Sequence, residues 1–227
     1  FAKVFLWTLL GTLSHVFLDF LNSYGAQLLW PIKKKYNLAI LTIFDPILIL
    51  MMALTLLVQG KIPHARALGV VGIILYLLFR CYMRLRVKYV LKKRFPGTKE
   101  LAILPSVTSI WSWHFLIEVN NRITVGELVF FSWACKIRKS FKMRLNHPVI
   151  RGALNSKLGK MFAEFTPFYH VGFSVKKGLY KVQFVDLRYY LAGDFMHHAT
   201  GIVDKDFQLR EGIFHPYSRQ TSIKITG

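Results

Sequence analysis

The chain has 227 residues, 53% of them hydrophobic and 15% aromatic, and its 31 Lys and Arg against 11 Asp and Glu give a formal net charge of +20. That apolar mass excludes a disordered chain, and the two cysteines, Cys81 and Cys135, are too few for a disulfide-built mini-domain. The apolar residues are unevenly spread behind a mean hydropathy of +0.36, which argues against an ordinary soluble domain.

Residues 1–94 hold 13 basic residues and only two acids, Asp19 and Asp45. From residue 95 onward there are 18 basic and nine acidic residues, a mixed make-up that still carries +9. The shift and the turn at Phe95-Pro96-Gly97 divide the chain into a transmembrane helical domain, 1–95, and a soluble β-rich domain, 96–227. The fold class expected is a membrane protein of the α+β kind. N-terminal transmembrane helices precede an antiparallel β-rich cytoplasmic domain with one helix.

The chain opens inside an apolar run, Val4 to Trp30, with no charged leader or small-residue cleavage site ahead of it. It reads as a piece whose upstream part is missing. Within the run, His15 and Asp19 are four residues apart, on one helix face and about 6 Å apart along the axis. Thr8, Gly11, Thr12 and Asn22 extend that face, and Gly25 suits a C-terminal cap. A carboxylate in apolar surroundings demands a partner. The pair can meet that demand as a hydrogen-bonded couple orienting two helices. It can also offer an imidazole nitrogen and a carboxylate oxygen to a divalent metal, though a lone pair at this spacing is more often the former.

After Lys33-Lys34-Lys35, the 25 residues from Tyr36 to Gly60 carry a single charge, Asp45, and are long enough to span a hydrocarbon core of about 30 Å. Asp45 lies ten residues after Lys35 and Asp19 fourteen before Lys33, which gives both carboxylates similar depth if both flanks are helical. Two like charges at one depth call for a cation or a proton between them. The other reading makes Asp45 a helix N-cap with Pro46 at the first position, and shortens the span to roughly 46–59. A polar hairpin, Gly60 to Arg66, leads to a second stretch, Ala67 to Phe79, which spans if Arg80 snorkels to the interface. Arg84 to Arg94 mixes basic and apolar residues and suits a helix on anionic headgroups. A two-span hairpin puts Lys33–Lys35 and Arg84–Arg94 on one side, cytoplasmic by the positive-inside rule. This predicts a multi-pass protein of the cell's inner (plasma) membrane, with membrane lipids as partners.

In the second domain, Leu116–Val119, Asn120-Asn121-Arg122 and Ile123–Val125 read as strand, turn, strand, with Trp111, Trp113, Phe115 and Ile117 alternating onto one face. Phe168–Val175, Tyr180–Tyr190, Phe195–Val203 and Phe207–Phe214 are further strands, and Pro148–Phe165 is a helix packed on the sheet. His197 and His198 are adjacent on a strand and face opposite ways, as ordinary core or surface histidines. Asp186 and Arg188 share a face and can pair. Both cysteines read as free thiols. No nucleic-acid module is present, and no nucleic acid is expected as a partner.

The run Ser14-His15-Val16-Phe17-Leu18-Asp19-Phe20-Leu21-Asn22-Ser23-Tyr24-Gly25-Ala26-Gln27-Leu28-Leu29-Trp30-Pro31 resembles the signature of the bacterial membrane-bound metal-dependent hydrolase family. Phe44-Asp45-Pro46 is also similar to that family, as is, less specifically, Val185-Asp186-Leu187-Arg188-Tyr189. The resemblance covers residues 1–95 well and the rest loosely. Members carry an H-R-G-x-x-H segment ahead of this signature, expected to add metal ligands, and no such motif occurs here.

The resemblance implies a membrane-embedded hydrolase that holds a divalent metal ion: zinc, manganese or magnesium. His15 and Asp19 would be ligands, and Asp45 a third ligand or the base that orients a water. Asn22 would support the ligands or touch substrate, or else only cap the helix. A site at membrane depth suggests an amphiphilic substrate, such as a lipid ester or phosphoester. The alternative is a non-catalytic membrane-anchored module whose sheet domain binds a partner or a lipid surface.

Overall fold

The computed structural model describes residues 1–29, 31, 35–176, 178–191, 193–215 and 223–226. Trp30 and the basic pair Lys33-Lys34 lie outside the described residues. The chain falls into two compact units. One comprises Phe1–Pro96, Ala102–Phe115 and Glu127–Lys136; the other comprises Gly97–Leu101, Leu116–Gly126 and Ile137–Gly227.

The first unit opens with α1, Ala2–Leu21, a helix with no charge between Lys3 and Asp19 apart from any on His15. Asn22 closes it in extended backbone, and its amide oxygen accepts from the N–H groups of Tyr24 and Gly25. Gly25 has φ +76°, and a Cβ there would lie 2.8 Å from the Tyr36 carbonyl, so a side chain is excluded by both strain and space.

The chain then doubles back. Ala26 and Tyr36 form an antiparallel bridge, Asn22 and Leu41 a parallel one. Leu38, Ile40 and Leu41 donate to the carbonyls of Phe20 and Leu21, which the helix end leaves free. Leu21, Ile40, Leu41 and Leu48 form a small core there, with Ile73, Tyr76 and Leu77 packed around it.

The 25-residue span expected from Tyr36 is therefore replaced by ten residues of extended and turn structure and a shorter helix, α2, Pro46–Val58. Asp45 caps it, accepting from the Leu48 N–H at 3.1 Å, and Pro46 takes the first helical position. Proline biases the residue before it away from helical backbone, which stops the helix from extending back toward Tyr36. At 13 residues α2 rises about 20 Å, short of a hydrocarbon core.

A polar turn leads to α3, Ala65–Arg94, 30 residues and about 45 Å long. Gly69 and Gly72 let α2 approach it: a Cβ on Gly69 would sit 2.3 Å from Thr55 Oγ1, and one on Gly72 2.9 Å from Met51 Cε. The basic segment 84–94 continues α3 without a break. Arg80 does not snorkel. It is buried, as are Met83, Val87 and Leu91 below it on the same helix. Helices α1 and α3 are both long and apolar enough to cross a membrane.

Four strands, β1 (Glu100–Pro105), β2 (Ser112–Val119), β3 (Arg122–Val129) and β4 (Cys135–Lys142), form a sheet in sequence order. Asn120 and Asn121, both at positive φ (49° and 57°), make the two-residue turn between β2 and β3. Trp113, Phe115 and Ile117 are fully buried from one face of β2.

In the second unit the helix expected over Pro148–Phe165 is two: α4, Pro148–Asn155, and α5, Lys157–Phe165. Ser156 breaks it, with its hydroxyl accepting from the Gly159 N–H as the cap of α5. Gly159 then lies against the end of α4, where a Cβ would be 2.3 Å from the Ala153 carbonyl oxygen.

These helices cover one face of a five-stranded antiparallel sheet. Its strands are β5 (Tyr169–Lys176), β6 (Leu179–Asp186), β9 (His198–Val203), β10 (Leu209–His215) and β11 (Ile223–Thr226), in the order β11-β10-β9-β6-β5. A small hairpin of β7 (Tyr190–Leu191) and β8 (Asp194–Phe195) interrupts it. Val149, Ile150, Ala153, Leu158 and Phe162 meet alternate residues Val182 and Phe184 of β6 and Ala199 and Val203 of β9 in the core. The expected strands over 180–190 and 195–203 are accordingly shortened: β6 stops at Asp186 and β9 begins at His198.

Candidate functional site

On α1, His15 Nε2 lies 3.5 Å from Asp19 Oδ2, and the Asn22 amide donates to Asp19 Oδ1 at 3.1 Å. The other polar groups near this stripe are turned onto the helix itself. Thr8, Thr12 and Ser14 donate to the carbonyls of Val4, Thr8 and Gly11. The pair points outward: the His15 side chain is 78% and the Asp19 side chain 41% exposed. Leu21 is the only fully buried residue of α1 among those described.

A second polar centre sits where α2 begins. Asp45 is buried, and both its oxygens accept from the Tyr76 hydroxyl, at 2.9 and 3.0 Å. One turn along α3, Arg80 donates from Nε to the Ile40 carbonyl at 2.8 Å and from a terminal nitrogen to the Ile110 carbonyl. Its guanidinium lies 4.5 Å from the Trp113 ring centroid. A cavity of about 180 Å³ opens beside the pair, lined by Asp45, Arg80, Thr42, Ser106, Thr108 and Ser109. Ser106 and Thr108 share a 3.0 Å hydrogen bond along its wall.

Of the residues expected at the site, His15, Asp19 and Asn22 thus form one connected group, and Asp45 belongs to another, with Tyr76 and Leu48. The depth argument that joined Asp45 to Asp19 assumed helix on both sides of the basic loop, and residues 37–41 are extended or bridged instead. Among the described residues, no three His, Cys, Asp or Glu side chains are grouped to hold a metal. Sequence reading missed Tyr76 and the inward turn of Arg80. The signal was an arginine inside an apolar helix with a tyrosine four residues before it, on the same face.

In the second unit, Asp186 is fully buried and held by Arg188 at 2.7 Å and by the Thr166 hydroxyl at 3.1 Å. His197 and His198 are both buried. The first packs against Phe165 and Tyr189, and the second stacks on His215 with ring centroids 4.6 Å apart. Burial pushes the His170 imidazole below its ordinary value. Two surface grooves, of about 380 and 400 Å³, both include Lys181 in their walls.

Residues 2–87 match the family described as YdjM inner membrane protein, and residues 148–224 match the YfhP C-terminal alpha/beta plait domain. The chain is similar to the uncharacterized protein YfhP of Bacillus subtilis (strain 168): 28% identity over 236 residues, covering 99% of this chain and 71% of that protein. No solved structure matches. The first match contains α1, α2 and most of α3, so the inner-membrane description falls on the two helices able to cross a bilayer. The second falls on α4, α5 and the five-stranded antiparallel sheet.

Proposed function

We propose that this is a multi-pass, membrane-embedded metal-dependent hydrolase of the inner membrane, with its β-rich domain in the cytoplasm and an amphiphilic substrate such as a lipid ester or phosphoester. The observation that carries it is the His15–Asp19 pair, 3.5 Å apart, facing outward from an apolar helix long enough to span. An ionisable pair on such a face needs a polar or cationic partner.

An imidazole nitrogen and a carboxylate oxygen one turn apart suit a zinc, manganese or magnesium ion, with further positions left to water and other groups. The metal would lower the pKa of a bound water and stabilise negative charge on the substrate. His15 and Asp19 would hold it, and Asn22 fixes the orientation of the Asp19 carboxylate. Asp45, with Tyr76 and Leu48 on its oxygens, fits a positioning role at the start of α2 better than that of ligand or base. The cytoplasmic placement rests on Arg84, Arg86, Lys88, Lys92, Lys93 and Arg94 at one end of α3.

The test is metal content of the purified full-length protein beside His15→Ala and Asp19→Asn. Near-stoichiometric metal in the parent, falling at least tenfold in both variants, is expected. Equal and near-zero metal in all three removes the enzyme reading. A reporter fused after Gly227 that is active only outside the cytoplasm overturns the orientation.

A second reading, a non-catalytic membrane-anchored binding module, is favoured by the engagement of Asp45 and by the two grooves that share Lys181. It predicts a lipid-ester hydrolysis signal no higher than that of empty membranes, unchanged by His15→Ala.

A further inference from the structure

We infer that the loops joining β1 to β2 and β3 to β4 contact the membrane themselves, placing an aromatic collar in the interface of an anionic bilayer at the level where α3 leaves the hydrocarbon. This rests on the reading of α3 as a membrane span.

From Ala67 to Phe79 the helix carries no charge. Because Arg80 is consumed inside the protein, the apolar exposed surface of α3 runs on through Phe79, Tyr82 and Leu85. Arg86 and Lys88 then begin the exposed basic stretch. This crossover from apolar to cationic surface marks the headgroup level.

At that level the two loops meet the helix. Trp111 lies edge-on to Phe79 at 6.3 Å, and Phe130 touches both Phe79, at 6.3 Å, and Tyr82, at 6.2 Å. Phe131 packs on Trp111 at 4.9 Å and remains 65% exposed, while Trp111 itself is 39% exposed. Val107, on the first loop, is exposed as well.

In water this cluster would be a continuous apolar patch with no cover. In the interface it is favourable, because indole and phenol rings partition there. Two features select lipid as the occupant. The patch is continuous with the exposed apolar side of α3, and the exposed charges that follow it along that helix, Arg86 and Lys88, are cations, complementary to anionic headgroups.

The test uses full-length protein with Cys81→Ser and Cys135→Ser, carrying Leu75→Cys, Phe131→Cys or Lys160→Cys one at a time. Each is labelled with a fluorophore in nanodiscs of phosphatidylcholine and phosphatidylglycerol. Lipids with a nitroxide high or low on the acyl chain report depth by quenching. Leu75 is expected to respond most to the deep nitroxide, Phe131 at least twofold more to the shallow one, and Lys160 to neither. Leaving out phosphatidylglycerol should weaken the Phe131 signal. A Phe131 probe as unresponsive as Lys160, with Leu75 still quenched, overturns the collar and leaves the span intact. An unresponsive Leu75 removes the span and the collar together. A Phe131 signal indifferent to headgroup charge overturns the choice of an anionic surface.

Discussion

The Tyr76 hydroxyl of α3 reaches both carboxylate oxygens of Asp45, at 2.9 and 3.0 Å, across 31 residues of sequence. One carboxylate therefore does two jobs. It caps α2 through the Leu48 N–H and ties that cap to the middle of the next helix. Removing it leaves a helix end and a half-buried phenol without their acceptor. We expect Asp45→Ala to cost about 3 kcal/mol, the sum of a lost cap and a charge-assisted hydrogen bond. Tyr76→Phe should cost about 1.5 kcal/mol. Denaturation in detergent of the two single variants and the double variant checks this. The double should fall short of the sum, because both singles break the same bond.

Arg80 serves two carbonyls, Ile40 and Ile110, that belong to distant parts of the first unit, and lies over Trp113. A lysine keeps the charge but lacks the planar fork that does all three at once. Arg80→Lys is expected to lower stability by about 2 kcal/mol, and Arg80→Ala by about 4 kcal/mol, since it also leaves the acceptors and Asp45 uncompensated. The observable is the detergent denaturation midpoint, with the order parent, lysine, alanine.

Two glycines on α3 face α2 but should respond differently to a methyl group. At Gly69 the new Cβ would meet Thr55 Oγ1 at 2.3 Å, Cγ2 at 2.5 Å and Cβ at 2.9 Å, all on a stiff β-branched side chain. At Gly72 the nearest atom is the free end of Met51, at 2.9 Å, which can swing away. Gly69→Ala should destabilise by about 2 kcal/mol and Gly72→Ala by less than about 1 kcal/mol. Thr55→Ala should restore much of the first loss and nothing of the second.

Burial holds the His170 imidazole below its ordinary value of 6.5. Below that pH the unfolded chain takes up a proton that the folded chain resists. The unfolded state then binds more protons, so stability rises with pH through this window and falls on acidification. His170 packs on the Phe141 ring at 4.6 Å, so His170→Phe preserves an aromatic contact and removes the titration. Melting temperatures at pH 7.5 and 5.5 should differ less in this variant than in the parent.

Much of the architecture was legible in local sequence. The absence of charge marked α1 and the first half of α3, period-two alternation marked β2, and turn residues (Gly, Asp and Lys) set off the segments that hold β5, β6 and β9. Asp45-Pro46 contained both its readings, and the cap prevailed because proline acts on the residue beside it. The break between α4 and α5 was also local, at a serine able to cap, but the apolar period runs across it and masked it. At the candidate site, helical spacing was enough to bring His15, Asp19 and Asn22 together, since residues three and four apart meet on any helix.

What the sequence determined by itself was the core of most helices and of several strands, and which short-range pairs share a face, because those properties depend on neighbours within a turn or two. Only the tertiary structure decided the fate of the buried charges. Arg80 turns inward because carbonyls 40 residues earlier and 30 later converge on it. Asp45 also meets Tyr76 because α2 and α3 pack closely at Gly69 and Gly72. A buried ionic group takes whichever partners the packed chain delivers to it, and those partners lie outside any local window.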